Sequence, residues 1–112
     1  MVEIIILNYL KSALTVPVYM EKPTSDVPEA YVFIEKTGSS EYELVVSSTF
    51  AVQSYAASLY EAAALNERVK QAMRDINIAE VSKVALNSDY NYTDITTKEY
   101  RYQAVYDVVT HI

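Results

Sequence analysis

Residues 58–76 read SLYEAAALNERVKQAMRDI, and this stretch decides the fold. Ser58, followed three residues later by Glu61, has the pattern of a capping box, in which two side chains satisfy the first free amides of a helix. Apolar residues then recur at steps of three and four: Ala62, Leu65, Val69, Ala72, Met73 and Ile76. Charged and polar residues fill most of the remaining positions. The stretch therefore predicts a surface helix that lies on a sheet.

Two strands precede this helix and are predicted to form a hairpin. Residues 31–36 are β-branched and aromatic, and residues 37–40 carry the only glycine, Gly38, which indicates a turn there. A period of two then places one set of residues on a common face: Tyr42, Leu44, Val46, Ser48, Phe50 and Val52. The pattern predicts an antiparallel pair joined across Gly38 with this face inward.

The N-terminal part of the chain is predicted to add a helix and an edge strand. Apolar side chains at helical spacing predict an amphipathic helix that ends near Ala13. Residues 16–20 predict a short strand at the edge of the sheet, because Pro17 cannot donate a hydrogen bond to a second neighbour. Residues 21–29 are polar and bracketed by prolines, which indicates a loop.

The C-terminal part is predicted to complete the sheet. Residues 81–86 and 100–112 predict two strands, and the polar, tyrosine-rich residues 87–98 predict a loop or an extended arm. This order of elements predicts an α+β fold, a mainly antiparallel sheet with two helices packed on one face. A length of 112 residues suits a single domain over residues 1–112.

The composition argues against several classes of function. Lys and Arg total 9 against 15 Asp and Glu, and this net charge of -6 argues against a protein that wraps duplex DNA. Cysteine is absent and His111 is the single histidine, so zinc sites and Ser-His or Cys-His catalysis are implausible. The apolar run at residues 4–7 is too short to span a bilayer and follows an acidic residue. We expect no cofactor, no metal, no membrane contact and no export signal.

The carboxylates show no pattern of catalysis or metal binding. Residues 87–91 begin like a calcium loop, but the match fails at Tyr92, where the turn needs glycine, and at Lys98, where the ion needs a glutamate. Glu41 and Glu43 lie at a predicted hairpin start, where charges commonly protect a sheet edge. Nothing marks the dry setting that separates the pKa values of a catalytic pair. We therefore expect no catalytic residue.

Eleven tyrosines suit a protein that contacts other protein surfaces. Tyr9, Tyr19 and Tyr31 lie in apolar patterns and are predicted to belong to the core. Tyr90 and Tyr92 lie among polar residues and share a face if that segment is extended, which suits docking on a neighbour. The predicted assembly interface combines this segment with the hairpin carboxylates: Glu41, Glu43, Asp89, Tyr90, Asn91, Tyr92 and Asp94.

Four stretches in a fixed order resemble one known family. They are VPVY at 16–19, YVFIEKTG at 31–38, AVQSYA at 51–56 leading into EAA at 61–63, and LNSDYNY at 86–92 followed by RYQAVYD at 101–107. Together they span nearly the whole chain. In this order the chain is similar to the small tail-completion proteins of long non-contractile-tailed bacteriophages and prophages, also called tail terminators or tail-to-head joining proteins.

The resemblance implies a structural virion protein with an α+β fold and no catalytic residues. It implies a ring, commonly a hexamer, that caps the tail tube and joins the tail to the head connector after assembly in the bacterial cytoplasm. The partners would be further copies of the chain, the tail tube protein and the head–tail connector protein, without specific nucleic-acid binding. A lumen lined by Glu41, Glu43, Asp89 or Asp94 would let DNA pass by repelling its phosphates.

Two alternatives stay open at this point. The chain could be another head–tail connector component, such as a stopper or an adaptor. From a different class, it could be a small cytoplasmic enzyme or ligand-binding domain with a pocket lined by tyrosine and aspartate. Genome neighbourhood separates these, because tail-tube and tape-measure genes directly downstream favour the terminator and a metabolic operon favours the last.

Overall fold

One sheet of five strands carries two helices on one face in the computed structural model, which describes residues 1–111. The elements are α1 (Val2–Ala13), β1 (Val18–Tyr19), β2 (Tyr31–Tyr42), β3 (Val45–Tyr55), α2 (Leu59–Arg74), β4 (Val81–Asn91) and β5 (Arg101–His111). The strand order is β1-β2-β3-β5-β4, and only the pair β1 and β2 is parallel. The predicted α+β fold with a mainly antiparallel sheet is confirmed.

The helix α2 confirms the prediction at its start and corrects it at its end. The Ser58 hydroxyl oxygen accepts a hydrogen bond from the Glu61 amide at 3.2 Å. The buried residues of the helix are Ala62, Leu65, Asn66, Val69, Ala72 and Met73. The helix ends at Arg74 rather than at Ile76, because Asp75 leaves the helical conformation as its C-cap while its amide still bonds the Gln71 carbonyl. Ile76 packs on the core from outside the helix.

The core lies between the two helices and one face of the sheet. Ile6 and Leu10 of α1 are fully buried there, and Leu65 and Val69 of α2 are buried beside them. The sheet contributes alternate residues of its three central strands: Val32, Ile34, Phe50, Val52, Ala104, Tyr106 and Val108. The Tyr9 hydroxyl donates to the Ala72 carbonyl and so joins α1 to α2. Of the three tyrosines predicted to be core, Tyr31 is buried, whereas Tyr9 and Tyr19 are half-buried.

The prediction of a turn at Gly38 is wrong. The strand β2 continues through Gly38 to Tyr42, and the turn that joins it to β3 consists of Glu43 and Leu44. Gly38 has no positive φ and lies where the register between the two strands shifts. A polar, glycine-containing stretch is tolerated inside a strand here because this half of β2 is exposed and contributes nothing to the core.

Residues 87–98 were predicted to be a loop or an extended arm, and the first five of them are extended as part of a strand. The strand β4 runs to Asn91, and Asp89, Tyr90 and Asn91 pair with β5 after a register shift that follows Leu86. Because β4 is an edge strand with much of its length exposed, polar residues cost it little. The loop itself spans residues 92–100. The predicted edge strand near Pro17 is confirmed as β1.

Candidate assembly interface

The predicted interface residues lie at two separate places on a molecule 44 Å long. Glu41 and Glu43 lie at the end of the sheet where β2 turns into β3, and residues 41–46 are here called the hairpin end. Asn91 pairs with Tyr102 near the opposite end of the strands, and residues 90–100 are called the loop end. The structure therefore does not bring the hairpin carboxylates together with the tyrosine-rich segment.

Asp89 lies on the helix side of the sheet, apart from its tyrosine neighbours. Its carboxylate accepts a hydrogen bond from the Asn66 side-chain amide at 2.9 Å and forms an ion pair with the Lys70 ammonium at 3.1 Å. Hydrogen bonds to Asp89 and then to Glu67 raise the pKa of Lys70. Because Asn66 is buried, its amide depends on this carboxylate for a partner. Asp89 thus anchors α2 to the edge strand β4.

Replacing Asp89 with alanine is expected to lower the free energy of unfolding by about 1–3 kcal/mol, because it leaves the buried Asn66 amide without its partner. Urea unfolding of the purified protein measures this. The matched control is Glu80→Ala, an exposed carboxylate in the turn before β4, which should change the free energy by less than about 0.5 kcal/mol. Equal effects of the two changes would contradict the anchoring role.

Tyr90 and Tyr92 lie side by side on the face of the sheet that points away from the helices. Their ring centroids are 6.0 Å apart in an edge-to-face arrangement, and each residue is about two-fifths exposed. The Tyr90 hydroxyl accepts a hydrogen bond from the Gln103 amide at 2.6 Å. The Arg101 guanidinium lies 4.6 Å from the centre of the Tyr92 ring. The predicted shared face is confirmed, and the pair forms a fixed aromatic surface.

A row of hydrogen bonds across three strands holds this aromatic surface in place. The Tyr55 hydroxyl donates to the Gln53 side chain at 2.6 Å, and Gln53 donates to Gln103 at 2.8 Å. Gln103 in turn donates to Tyr90, so the row runs from β3 through β5 to β4. Tyr31 stacks on Tyr55 at 4.5 Å, and burial raises the pKa of Tyr31 to about 12. This row could not be predicted, since its only signal in the sequence is a glutamine on each of two strands.

Asn91 and Asp94 shape the loop end from within. The Asn91 side-chain oxygen accepts a hydrogen bond from the Thr93 amide at 3.0 Å. One Asp94 carboxylate oxygen accepts from the Thr96 amide at 3.0 Å and from the Thr97 amide at 3.4 Å, and these bonds lower the pKa of Asp94. Such side-chain contacts to the backbone stabilise tight turns. They leave the neighbouring Ile95 85% exposed.

The hairpin end exposes two large apolar side chains on a strained turn. Tyr42 is 77% exposed and Leu44 is 69% exposed. Glu43 and Leu44 have φ angles of 48° and 68°, which two-residue turns of this kind normally give to asparagine and glycine. The prediction that Tyr42 and Leu44 face inward is wrong, because the period of two is interrupted by a turn at Glu43 and Leu44, neither of which is a typical turn former. Strained backbone tends to persist where function requires the side chains present.

Relaxing this turn should stabilise the protein. The change Glu43→Asn with Leu44→Gly is expected to raise the free energy of unfolding by about 1 kcal/mol, because the left-handed conformation is costly for most residues. Chemical unfolding followed by circular dichroism measures the gain. The control Ser39→Asn with Ser40→Gly places the same pair inside β2 and should give no gain. A lower free energy of unfolding in the variant with Glu43→Asn and Leu44→Gly would contradict the claim that this turn is strained.

Comparison with known proteins leaves the family resemblance as a prediction. No family model matches the chain, and no curated protein matches its sequence significantly. Among residues 1–111, no group of three acidic or histidine side chains is arranged to hold a metal ion. None of the helices in that range has the length and apolar character needed to cross a membrane. The most distinctive features of the described residues are the hairpin end and the loop end.

Proposed function

We propose that this protein is a structural subunit of a phage tail terminator, which forms a ring that caps the tail tube and joins it to the head connector. The observation that carries the proposal is that one subunit offers different contact surfaces at its two ends. The hairpin end exposes Tyr42 and Leu44, and the loop end exposes Ile95 and part of Tyr92. A ring subunit that joins two other structures needs unlike surfaces, some for neighbouring copies of itself and some for the tail tube and the head connector. The order of sequence motifs supplies the phage context.

The chemistry of the loop end suits contact with another protein. Ile95 is 85% exposed at this end. Tyr90 and Tyr92 add aromatic rings whose positions are fixed by hydrogen bonds and by Arg101. Interfaces are enriched in tyrosine and arginine, and rings already fixed in position lose little entropy on binding. This end is therefore our candidate contact with the tail tube or the head connector.

Free sheet edges provide further surface for neighbouring copies. The strand β1 covers only Val32 and Phe33 of β2, so β2 has an open edge from Ile34 to Tyr42. On the other side of the sheet, β4 is an edge strand of eleven residues. Monomeric proteins usually cover or shorten such edges. Edges of this length favour a protein that works as part of an assembly.

One observation favours the ligand-binding alternative. A cavity of about 350 Å³ opens beside Tyr31 and Tyr55 and is lined on its other side by Lys98 and Glu99. Small-molecule sites are concave and combine aromatic walls with a few polar groups. A stopper or an adaptor of the same particle would use the same surfaces as the terminator. The ligand-binding alternative remains behind the terminator because it does not account for the exposed and strained hairpin end. The stopper or adaptor is separated from the terminator by the order of addition in a joining assay.

A joining assay tests the proposal. Tails and heads are prepared separately from a mutant of the phage or prophage that lacks this gene, and the purified protein is preincubated with one of the two before they are mixed. We expect infectious particles to form only when the protein is added before the heads. A stopper would instead be needed on the head side, so preincubation with heads alone would restore infectivity. Restoration by that second order of addition, or none by either order, would contradict the terminator function.

A further inference from the structure

We propose that the hairpin end of one copy docks into a groove between α2 and β4 of the next copy, and that this contact closes the ring. The inference rests on the proposed ring function and deepens it by naming the contact between subunits. The occupant is thus a second copy of this chain. The inserted side chains are Tyr42 and Leu44, with Glu41 and Glu43 beside them.

The groove has an apolar floor and a basic rim. A cavity of about 230 Å³ is lined by Lys70, Met73, Arg74, Val84, Leu86 and Tyr106. An adjoining cavity of about 250 Å³ shares Met73, Arg74 and Val84 and extends the groove along β4 to Lys83. Leu86 is 42% exposed at the side of this groove, so part of its apolar lining faces solvent. Among residues 1–111, no carboxylate lines either cavity.

The charges of the groove and the hairpin end are complementary. Lys70 already forms ion pairs with Asp89 and Glu67, whereas the Arg74 guanidinium donates a hydrogen bond to the uncharged Gln71 side-chain oxygen at 3.0 Å. Within residues 1–111, neither Arg74 nor Lys83 has a carboxylate within 4.0 Å. In that part of the chain, neither Glu41 nor Glu43 has a lysine or arginine nitrogen within 4.0 Å. Docking would bring unpaired cations to unpaired carboxylates around an apolar contact, which is the arrangement that gives an interface its specificity.

The topology prevents a copy from filling its own groove. The hairpin end belongs to β2 and β3, whereas the groove lies beside β4 at the far edge of the sheet. The strand β5 lies between them and pairs with β3 as far as Val45 and His111, which holds the hairpin end in the plane of the sheet. Because the hairpin end and the groove are different surfaces of one subunit, a contact between them on two copies is head to tail. A contact of this kind generates a ring when its rotation closes.

The strained turn supports the same contact. Glu43 and Leu44 hold left-handed backbone conformations that asparagine and glycine adopt at lower cost. Neither side chain is needed for the fold, since both are exposed at the tip of the hairpin. Their presence is explained if the side chains themselves make a contact outside the subunit.

Charge exchange with rescue tests the contact. Two double variants should each reduce the number of rings on tail tubes at least tenfold in electron micrographs. One is Glu41→Lys with Glu43→Lys, and the other is Arg74→Glu with Lys83→Glu. Combining all four changes should restore ring formation, because the charges are exchanged across the same contact. The control Glu21→Lys with Glu29→Lys makes the same change of charge in the loop before β2 and should leave ring formation intact.

The outcomes separate this inference from the proposed function. If the wild-type protein caps tails and the hairpin charge variant does so equally well, the docking contact is wrong and the terminator function stands. That result is also the one expected if these carboxylates only line a DNA path. If the wild-type protein forms no rings on tails, the proposed function itself fails.

Two uncharged variants keep the test independent of charge. Tyr42→Ala with Leu44→Ala removes side chains that are mostly exposed, so the subunit should fold normally and lose ring formation. Glu43→Asn with Leu44→Gly should raise the melting temperature of the subunit and also abolish ring formation. Unchanged ring formation in both variants would overturn the inference.

Discussion

Replacing Leu65 with alanine is expected to lower the free energy of unfolding by about 2–5 kcal/mol. Leu65 is 1% exposed and lies in the core cluster under α2, together with Val69, Phe50 and Val52. Truncation removes buried methyl groups and leaves a cavity that a rigid sheet cannot fill by relaxing. Urea or guanidinium unfolding of the purified proteins, fitted with one m-value for wild type and variant, measures the loss of unfolding free energy.

The control for this change lies on the same helix. Tyr60 is 82% exposed at the start of α2, and Tyr60→Ala should change the free energy of unfolding by less than about 0.5 kcal/mol. The comparison separates core packing from helix propensity, since both changes place alanine in α2. A loss below about 1 kcal/mol for Leu65→Ala would contradict the packing of α2 on the sheet.

The second large effect is expected at the loop end. Replacing both Tyr90 and Tyr92 with alanine should reduce the yield of joined particles at least about tenfold, because loss of two aromatic contacts at an interface commonly exceeds 1.4 kcal/mol. The subunit itself should lose only about 1–2 kcal/mol of stability, since both rings are partly exposed and only one hydrogen bond is lost between them. Joining assays and thermal unfolding of the same preparation measure the two effects.

The phenylalanine variant is the matched control. Tyr90→Phe with Tyr92→Phe keeps both rings and their edge-to-face packing but removes the hydroxyl that accepts from Gln103. Joining should then stay within about threefold of wild type, because the aromatic contact area is retained. Full joining activity in the double alanine variant, or a fall in stability as large as that of Leu65→Ala, would show that these rings serve the fold rather than a contact.

The parts of the fold that could be predicted are those that local sequence decides. Ser58 and Glu61 determine where α2 begins, and the apolar stripe of that helix determines which side it buries. The restriction at Pro17 similarly placed β1 at an edge. In each case the physical cause acts within a few residues, so a single sequence carries it.

The parts that could not be predicted depend on pairing with a neighbouring strand, which lies beyond the local stretch of sequence. Gly38 has the composition of a turn, but pairing with β3 extends β2 past it and moves the turn to Glu43 and Leu44. Likewise, β4 continues to Asn91 because β5 supplies its hydrogen bonds, whatever the polarity of the segment.

The candidate interface shows the same division. The shared face of Tyr90 and Tyr92 follows from the period of two in a strand and was predicted. The role of Asp89 as an anchor could not be predicted. Its partners Asn66 and Lys70 come from a helix whose position over β4 depends on the whole fold. The groove at Arg74 likewise exists only once α2 and β4 are packed.

The central claim is that this protein forms a ring at the end of a phage tail tube. Electron microscopy of the purified protein mixed with tail tubes that lack a terminator tests it most directly. The account predicts a ring of identical subunits at one end of each tube, with an open centre and no protein along the tube wall. Tubes with bare ends in the presence of excess folded protein would contradict it.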